Sequence, residues 1–107
     1  MEKIVKQTLL YDFYGELLTI RQRQVYESVV LEDYSLSEVA EELSISRQGV
    51  HDMIRRCNQA LEDYEQKLHL VERFVELRGK VKKISVLADE AGIPEITAIC
   101  SEVLEEL

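Results

Sequence analysis

Arg47, Gln48, His51, Arg55 and Arg56 fall within one stretch of ten residues. On a helix of 3.6 residues per turn they would share the outward side. Guanidinium, carboxamide and imidazole groups are hydrogen-bond donors, and such a set suits phosphate oxygens and the acceptor edges of bases. That is what a recognition helix presents to a nucleic acid. Asp52 sits among them, and a carboxylate near phosphate is costly, although it can accept from a cytosine amino group. Arg55 and Arg56 also have competing partners in Glu41, Glu42 and Asp52 on neighbouring turns. A second set of cations, Lys67, Arg73, Arg78, Lys80, Lys82 and Lys83, forms a basic stretch suited to an acidic protein surface or a structured RNA.

Catalytic chemistry has little to work with. His51 and His69 are far apart in sequence, and neither has a Cys, Asp or Glu at metal-ligand spacing on the same face that would form a recognisable site. There is no glycine-rich phosphate loop, no nucleophile elbow and no triad. The paired acids Glu32-Asp33, Glu41-Glu42 and Glu62-Asp63 are adjacent in sequence, so each pair points to different faces. No enzyme activity, cofactor or metal is expected. Cys57 and Cys100 lie on apolar helical faces and read as buried free thiols.

The donor-rich residues need a frame, and residues 35–56, SLSEVAEELSISRQGVHDMIRR, supply one. Ser35 followed by Glu38 is a capping box that opens a first helix. Leu36, Val39, Ala40 and Leu43 recur on one face of it. Ser46 caps a second helix whose inward residues are Val50, Met53 or Ile54, and Cys57. Ala40 is the small residue that a close helix crossing requires. Upstream, a first helix with Leu9, Phe13 and Leu17 or Leu18 inward ends near Gly15. A second opens at Thr19 and buries Val25, Val29 and Val30. Together they complete a three-helix base.

From Val50 the apolar residues run Val50, Ile54, Cys57, Leu61, Tyr64, Leu68, Val71 and Val75, in steps of four and three. That is a heptad seam. It predicts a long helix over residues 47–79 pairing with a second copy through Leu61, Tyr64, Leu68, Val71 and Val75. The competing reading is a break near Leu68-His69 with the chain folded back on its own domain. A second apolar line, Leu70, Phe74, Leu77 and Val81, widens the face and suits more than one packing partner. Residues 80–107 read as an acidic helical hairpin. Gly92 takes its turn, Pro94 opens its last helix, and its helix-turn-helix-like spacing lacks any basic recognition face. The expected fold is therefore all-α. Residues 1–66 form a helix-turn-helix domain on a three-helix base, residues 47–79 a long helix and the expected homodimer seam, and residues 80–107 the hairpin.

Charge limits the partners. The chain has 21 acidic and 13 basic side chains, net −8, whereas duplex binding draws most of its affinity from phosphate neutralisation. Residues 84–107 hold six acids and no cation. Weak binding to random duplex DNA is expected, and a polar partner met at a defined place fits better. No apolar run approaches the roughly 20 residues of a membrane span, so no membrane insertion is expected. The N-terminus lacks a signal-peptide core, and a cytoplasmic location is expected.

The run LTIRQRQVYESVVLEDYSLSEVAEELSISRQGVHDMIRR is similar to region four of bacterial sigma factors, which reads a promoter element. More closely, LYDFYGELLT, LEDYSLSEVAEEL, SRQGV, D-x-IRR and LEDYEQKL resemble the YlxM family of helix-turn-helix proteins. The matching segments fall between Leu10 and Leu68, and nothing after Lys83 matches the family pattern. The resemblance implies an all-helical accessory or regulator of the signal recognition particle pathway. Its implied partner is the particle's protein or its RNA, with nucleic-acid binding by RNA or DNA. A sigma-region-four-like transcriptional regulator that binds DNA is the alternative.

Overall fold

Thr19, Ser35 and Ser46 each begin a helix, and each does so by the same device. In a computed structural model that describes residues 2–107, all three have extended backbone at the cap. Their hydroxyl oxygens accept from the backbone N–H of Gln22, Glu38 and Gly49 respectively. Gln22 and Glu38 reach back to the cap N–H, so the first two are complete capping boxes.

The described residues are helical throughout, and the chain divides into two units, one ending at His69 and one spanning Leu70–Leu107. In the first unit α1 (Lys3–Tyr14) leads through a 3₁₀ turn (Gly15–Leu17) to α2 (Ile20–Tyr26). That helix widens into a π-helical turn (Glu27–Leu31) before α3 (Leu36–Leu43) and α4 (Arg47–Leu68). In the second unit α5 (Leu70–Glu90) packs against α6 (Pro94–Glu106). All-α and helix-turn-helix are both as the sequence predicts. None of these helices is long and apolar enough to cross a membrane.

Helix α4 is the centre of the first unit, with α1, α2 and α3 all packed on it. Val50, Cys57 and Leu61 on its inner side have no solvent access. Val25, Val39, Ala40 and Val50 form one buried cluster, ringed by Val29, Leu36, Leu43, Ile45, Met53 and Ile54. Met53 and Ile54 both contribute, because each flanks the Val50 line on a different side.

Helix α1 departs from its expected register. Leu10, Tyr14 and Leu18 are buried, whereas Phe13 is 37% and Leu17 55% exposed. The inward line is shifted by one residue because tyrosines carry it. The Tyr14 hydroxyl donates to Glu65 on α4, and its ring lies 6.0 Å from that of Tyr64. Tyr11 stacks on Tyr26 at 5.1 Å and donates to Glu27. Tyr26 is fully buried and donates to Asn58, which also accepts from Gln7. Burial pushes the Tyr26 hydroxyl up to about 12 and raises the Cys57 thiol. Tyr26 is therefore a permanent donor at neutral pH, and Cys57 packs as an unreactive thiol. Both cysteines are free and buried, as expected.

The continuous helix expected over residues 47–79 is not formed. Helix α4 ends at Leu68, and His69 takes the left-handed conformation (φ 55°) while its N–H still bonds to the Glu65 carbonyl. Helix α5 then runs through Gly79 to Glu90, so the first arm of the C-terminal hairpin begins at Leu70 rather than at residue 80. One mid-helix glycine costs only about 1 kcal/mol against alanine, less than the packing of α5 on α6 returns. At the hairpin turn Gly92 has φ 71°, the Ile93 N–H bonds to the Ala88 carbonyl, and Pro94 opens α6.

Two substitutions test these assignments by thermal or denaturant unfolding. Leu61→Ala should cost about 2–5 kcal/mol, the penalty of a core truncation. Gly79→Ala should stabilise by about 0.5–1 kcal/mol, since a Cβ there meets nothing within 4 Å. A destabilised Gly79→Ala would mean that residues 70–90 do not form a regular helix.

Candidate nucleic-acid interface

The buried line of α4 determines what its other side shows. With Val50, Cys57 and Leu61 inward, steps of about 100° per residue bring Gln48, Asp52 and Arg55 to the centre of the outer face. Arg47 and His51 lie to one side of that centre and Arg56 to the other. All five donors named from the sequence are exposed. They span about half of the helix circumference, with Arg47 nearest the buried line, in the N-terminal half of the second helix of the helix-turn-helix.

The turn before this helix is tight. Ser44 adopts the left-handed conformation (φ 56°), its N–H bonds to the carbonyls of Ala40 and Glu41, and the Ile45 N–H bonds to Ala40. Ile45 then packs on the Val25–Val50 cluster. Gly49 sits directly over the cap, where an added Cβ would lie 3.2 Å from the Ser46 hydroxyl. The helix start is fixed by Ser46 from outside and by Ile45 and Val50 from inside.

Asp52 organises the donors around itself. It accepts from the Gln48 amide at 3.1 Å, and both the Arg55 guanidinium and the His51 ring lie 3.9 Å away. These side chains are well exposed, so the Arg55–Asp52 ion pair is screened and worth little. The partner foreseen for Arg55 is thus Asp52. Arg47 and Arg56 form no ion pair among the described residues. The first helix of the motif adds an acidic border, with Glu38, Glu41 and Glu42 all exposed. An open cavity beside α3, about 320 Å³, is also bordered by carboxylates, Glu27, Glu32 and Glu42 among them. No cluster that would hold a metal ion occurs among the described residues.

The second basic set does not gather. Lys67 ends α4, and Arg73, Arg78, Lys80, Lys82 and Lys83 are all exposed on α5. By helical spacing Arg73 and Lys80 lie on one side of α5, while Arg78 and Lys82 lie nearly opposite. Nearness along the chain suggests a patch, and the helix disperses it.

The seam read over residues 50–75 is also redistributed. Leu61 has no solvent access within its own chain, and Tyr64 is half-buried beside Tyr14. Val71 is buried, while Leu68 and Val75 are 46% and 39% exposed. Val50, Cys57 and Leu61 of the seam are the interior of one chain, so they have no surface left for a second copy. The tyrosine and Asn58 network is what the sequence reading missed. The signal was present in Tyr11, Tyr14 and Tyr26, whose spacing on paired helices shows only once α1 is packed on α4.

Comparison with known proteins agrees with this geometry. A family model described as "Putative helix-turn-helix protein, YlxM / p13 like" matches residues 1–95. That match reaches past Lys83, so the family pattern extends further into the tail than the sequence motifs indicate. A UPF0122 protein of Thermoanaerobacter sp. (strain X514) is 46% identical over 104 residues, covering 94% of this chain and 89% of the relative. The UPF0122 protein YlxM of Bacillus subtilis (strain 168) is 39% identical over 107 residues, covering 100% of this chain and 97% of the relative. A UPF0122 protein of Caldanaerobacter subterraneus is 54% identical over 77 residues, covering 72% of this chain and 66% of the relative.

Ser46 is the cap on which the donor face depends. Ser46→Ala should lower stability by about 1 kcal/mol, seen as a lower melting temperature with unchanged helix content. Ser46→Asp should retain most of that stability, since a carboxylate also caps and favours a helix N-terminus.

Proposed function

This chain belongs to the UPF0122 family of YlxM/p13-like helix-turn-helix proteins, and on that footing we propose that it is a nucleic-acid-binding regulatory or accessory protein that uses the outer face of α4. The observation that carries this reading is the single exposed face holding Arg47, Gln48, His51, Arg55 and Arg56 opposite a fully buried line. Arg47 and Arg56 are placed to meet phosphates, and Gln48 and Arg55 to reach base edges. Asp52 accepts from Gln48 and lies 3.9 Å from Arg55, weak contacts that a ligand would displace.

The acidic surroundings make the binding selective rather than tight. A net charge of −8 repels a polyanion at long range, so only a ligand that satisfies the α4 face locally gains enough to stay. A structured RNA suits this balance better than random duplex DNA, because its recognition is local and shape-based. The family resemblance points to the signal recognition particle, through its RNA or protein, as the site of action in the cytoplasm. Sequence-specific DNA regulation in the manner of sigma region four is the second reading. Its support is the shape of the α3–α4 pair together with the donor types.

The charge distribution gives a test with opposite signs. Neutralising Arg47, Arg55 and Arg56 to Gln should weaken binding to the particle's RNA. It should also flatten the salt dependence by about one unit for each phosphate that an arginine no longer neutralises. Asp52→Asn should strengthen binding several-fold by removing the carboxylate from the face. Neutralising Lys80, Lys82 and Lys83 should leave binding largely intact. Fluorescence anisotropy at two salt concentrations, with random duplex and the particle's RNA as parallel ligands, reads all three. Loss of binding in the lysine variant alone would move the interface to α5 and sink the α4 reading.

A further inference from the structure

The unit Leu70–Leu107 leaves more apolar surface open than it closes. Its buried residues are Val71, Val81, Ala88 and Cys100. Against them Leu70, Leu77 and Ile84 on α5 and Ile96 and Ile99 on α6 are 38–58% exposed. A unit of fewer than about 40 residues usually needs a disulfide, a metal or a partner to be stable. Cys100 is a free thiol, and no metal-binding cluster occurs among the described residues.

One group of the open residues shares a side of the hairpin, while Val75 and Val86, 39% and 56% exposed, lie on the opposite side of α5. Val81 and Ala88 mark the line of α5 that meets α6, and Thr97, Cys100 and Leu104 the line of α6 that meets α5. Because the two helices run in opposite directions, residues just counter to each line turn to the same side. These are Leu77 and Ile84 on α5, and Ile96, Ile99 and Val103 on α6. Leu70, Phe74, Leu77, Val81, Ile84 and Ala88 moreover follow each other in steps of four and three, the spacing of a bundle-forming helix.

Charge decides what fits there. Beside the apolar side of α5 stand Arg73 and Lys80, and beside that of α6 stand Glu102 and Glu106. All four are exposed, and α6 bears no cation at all. A second copy turned by a two-fold axis along the helices sets α5 of one against α6 of the other. The cations of each then flank the acids of its partner. Setting α5 on α5, or α6 on α6, opposes like charges instead.

From this we propose that the α5–α6 hairpin is a dimerisation module, in which two copies of this chain form a four-helix bundle through Leu77, Ile84, Ile96 and Ile99, with α5 of each crossing to α6 of the other. The interface replaces the seam through Leu61, and it holds whatever α4 binds. Each dimer carries two α4 faces, which raises avidity for a ligand that can reach both.

Sedimentation equilibrium of the full chain over a concentration series tests this. The wild type should be a dimer. Ile99→Glu and Leu77→Glu sit at open positions, so the first unit should stay folded, while the dissociation constant should rise by roughly a hundredfold, as an unpaired charge in an apolar interface predicts. Lys80→Glu should weaken the dimer several-fold, and adding Glu102→Lys should restore it. Rescue of one change by the other supports the crossed arrangement, because a loss of folding alone would not be reversed. A wild type that stays monomeric overturns the proposal, even if it binds another protein through this face. So does a dimer insensitive to Ile99→Glu. A dimer broken by Ile99→Glu but blind to both charge changes overturns the α5-to-α6 pairing.

Discussion

Val50, Cys57 and Leu61 have no access to solvent, and α1, α2 and α3 all reach the helix that carries them. A helix surrounded on one side by three others has only one side left for a ligand. Burying that line therefore both closes the core of the first unit and sets the direction of the donor face. A rotation of α4 by one residue would move Asp52 or Arg55 toward the interior, where an unpaired charge is costly. The hydrophobic packing and the candidate function are in this sense one constraint.

Polar contacts add the specificity that apolar packing lacks. Leucine and valine lines tolerate slippage, but Tyr26 bonded to Asn58, Tyr14 to Glu65 and Tyr11 to Glu27 can be satisfied in only one register. No buried side-chain polar atom lacks a partner among the described residues. That completeness is what a unique arrangement of buried polar groups requires. It fixes the register of α1 on α4 through Asn58 and Glu65.

The acidity of the chain, which taken alone opposes nucleic acid, reaches into the donor face itself, where Asp52 sits among its neighbours. Gln48, His51 and Arg55 all lie within reach of it. A ligand has to compete with an existing set of weak contacts, and Glu38, Glu41 and Glu42 stand close by in the preceding helix.

The starts of α2, α3 and α4 were legible in the residues alone, because caps and periodicity are local. Ser35 with Glu38, Thr19, Ser46, and the spacing of Leu36, Val39, Ala40 and Leu43 depend on residues a turn or less apart. The sequence also named the donors of α4, since their outward position follows from Val50 and Cys57 lying inward. What it left open is how a heptad is used. Apolar residues in steps of four and three have the same spacing whether the partner is the chain's own α1 and α2 or a second copy. Only the tertiary structure assigned Val50, Cys57 and Leu61 to the interior of one chain. It alone decided between a continuous helix and the stop at His69, a residue type that enters left-handed turns more readily than most but seldom enough to announce one. It also decided the passage of α5 through Gly79, where packing against α6 outweighs the weak local preference that glycine expresses. The dispersal of the basic stretch was hidden for a related reason: nearness along a chain counts charges, while the pitch of the helix decides which of them share a face.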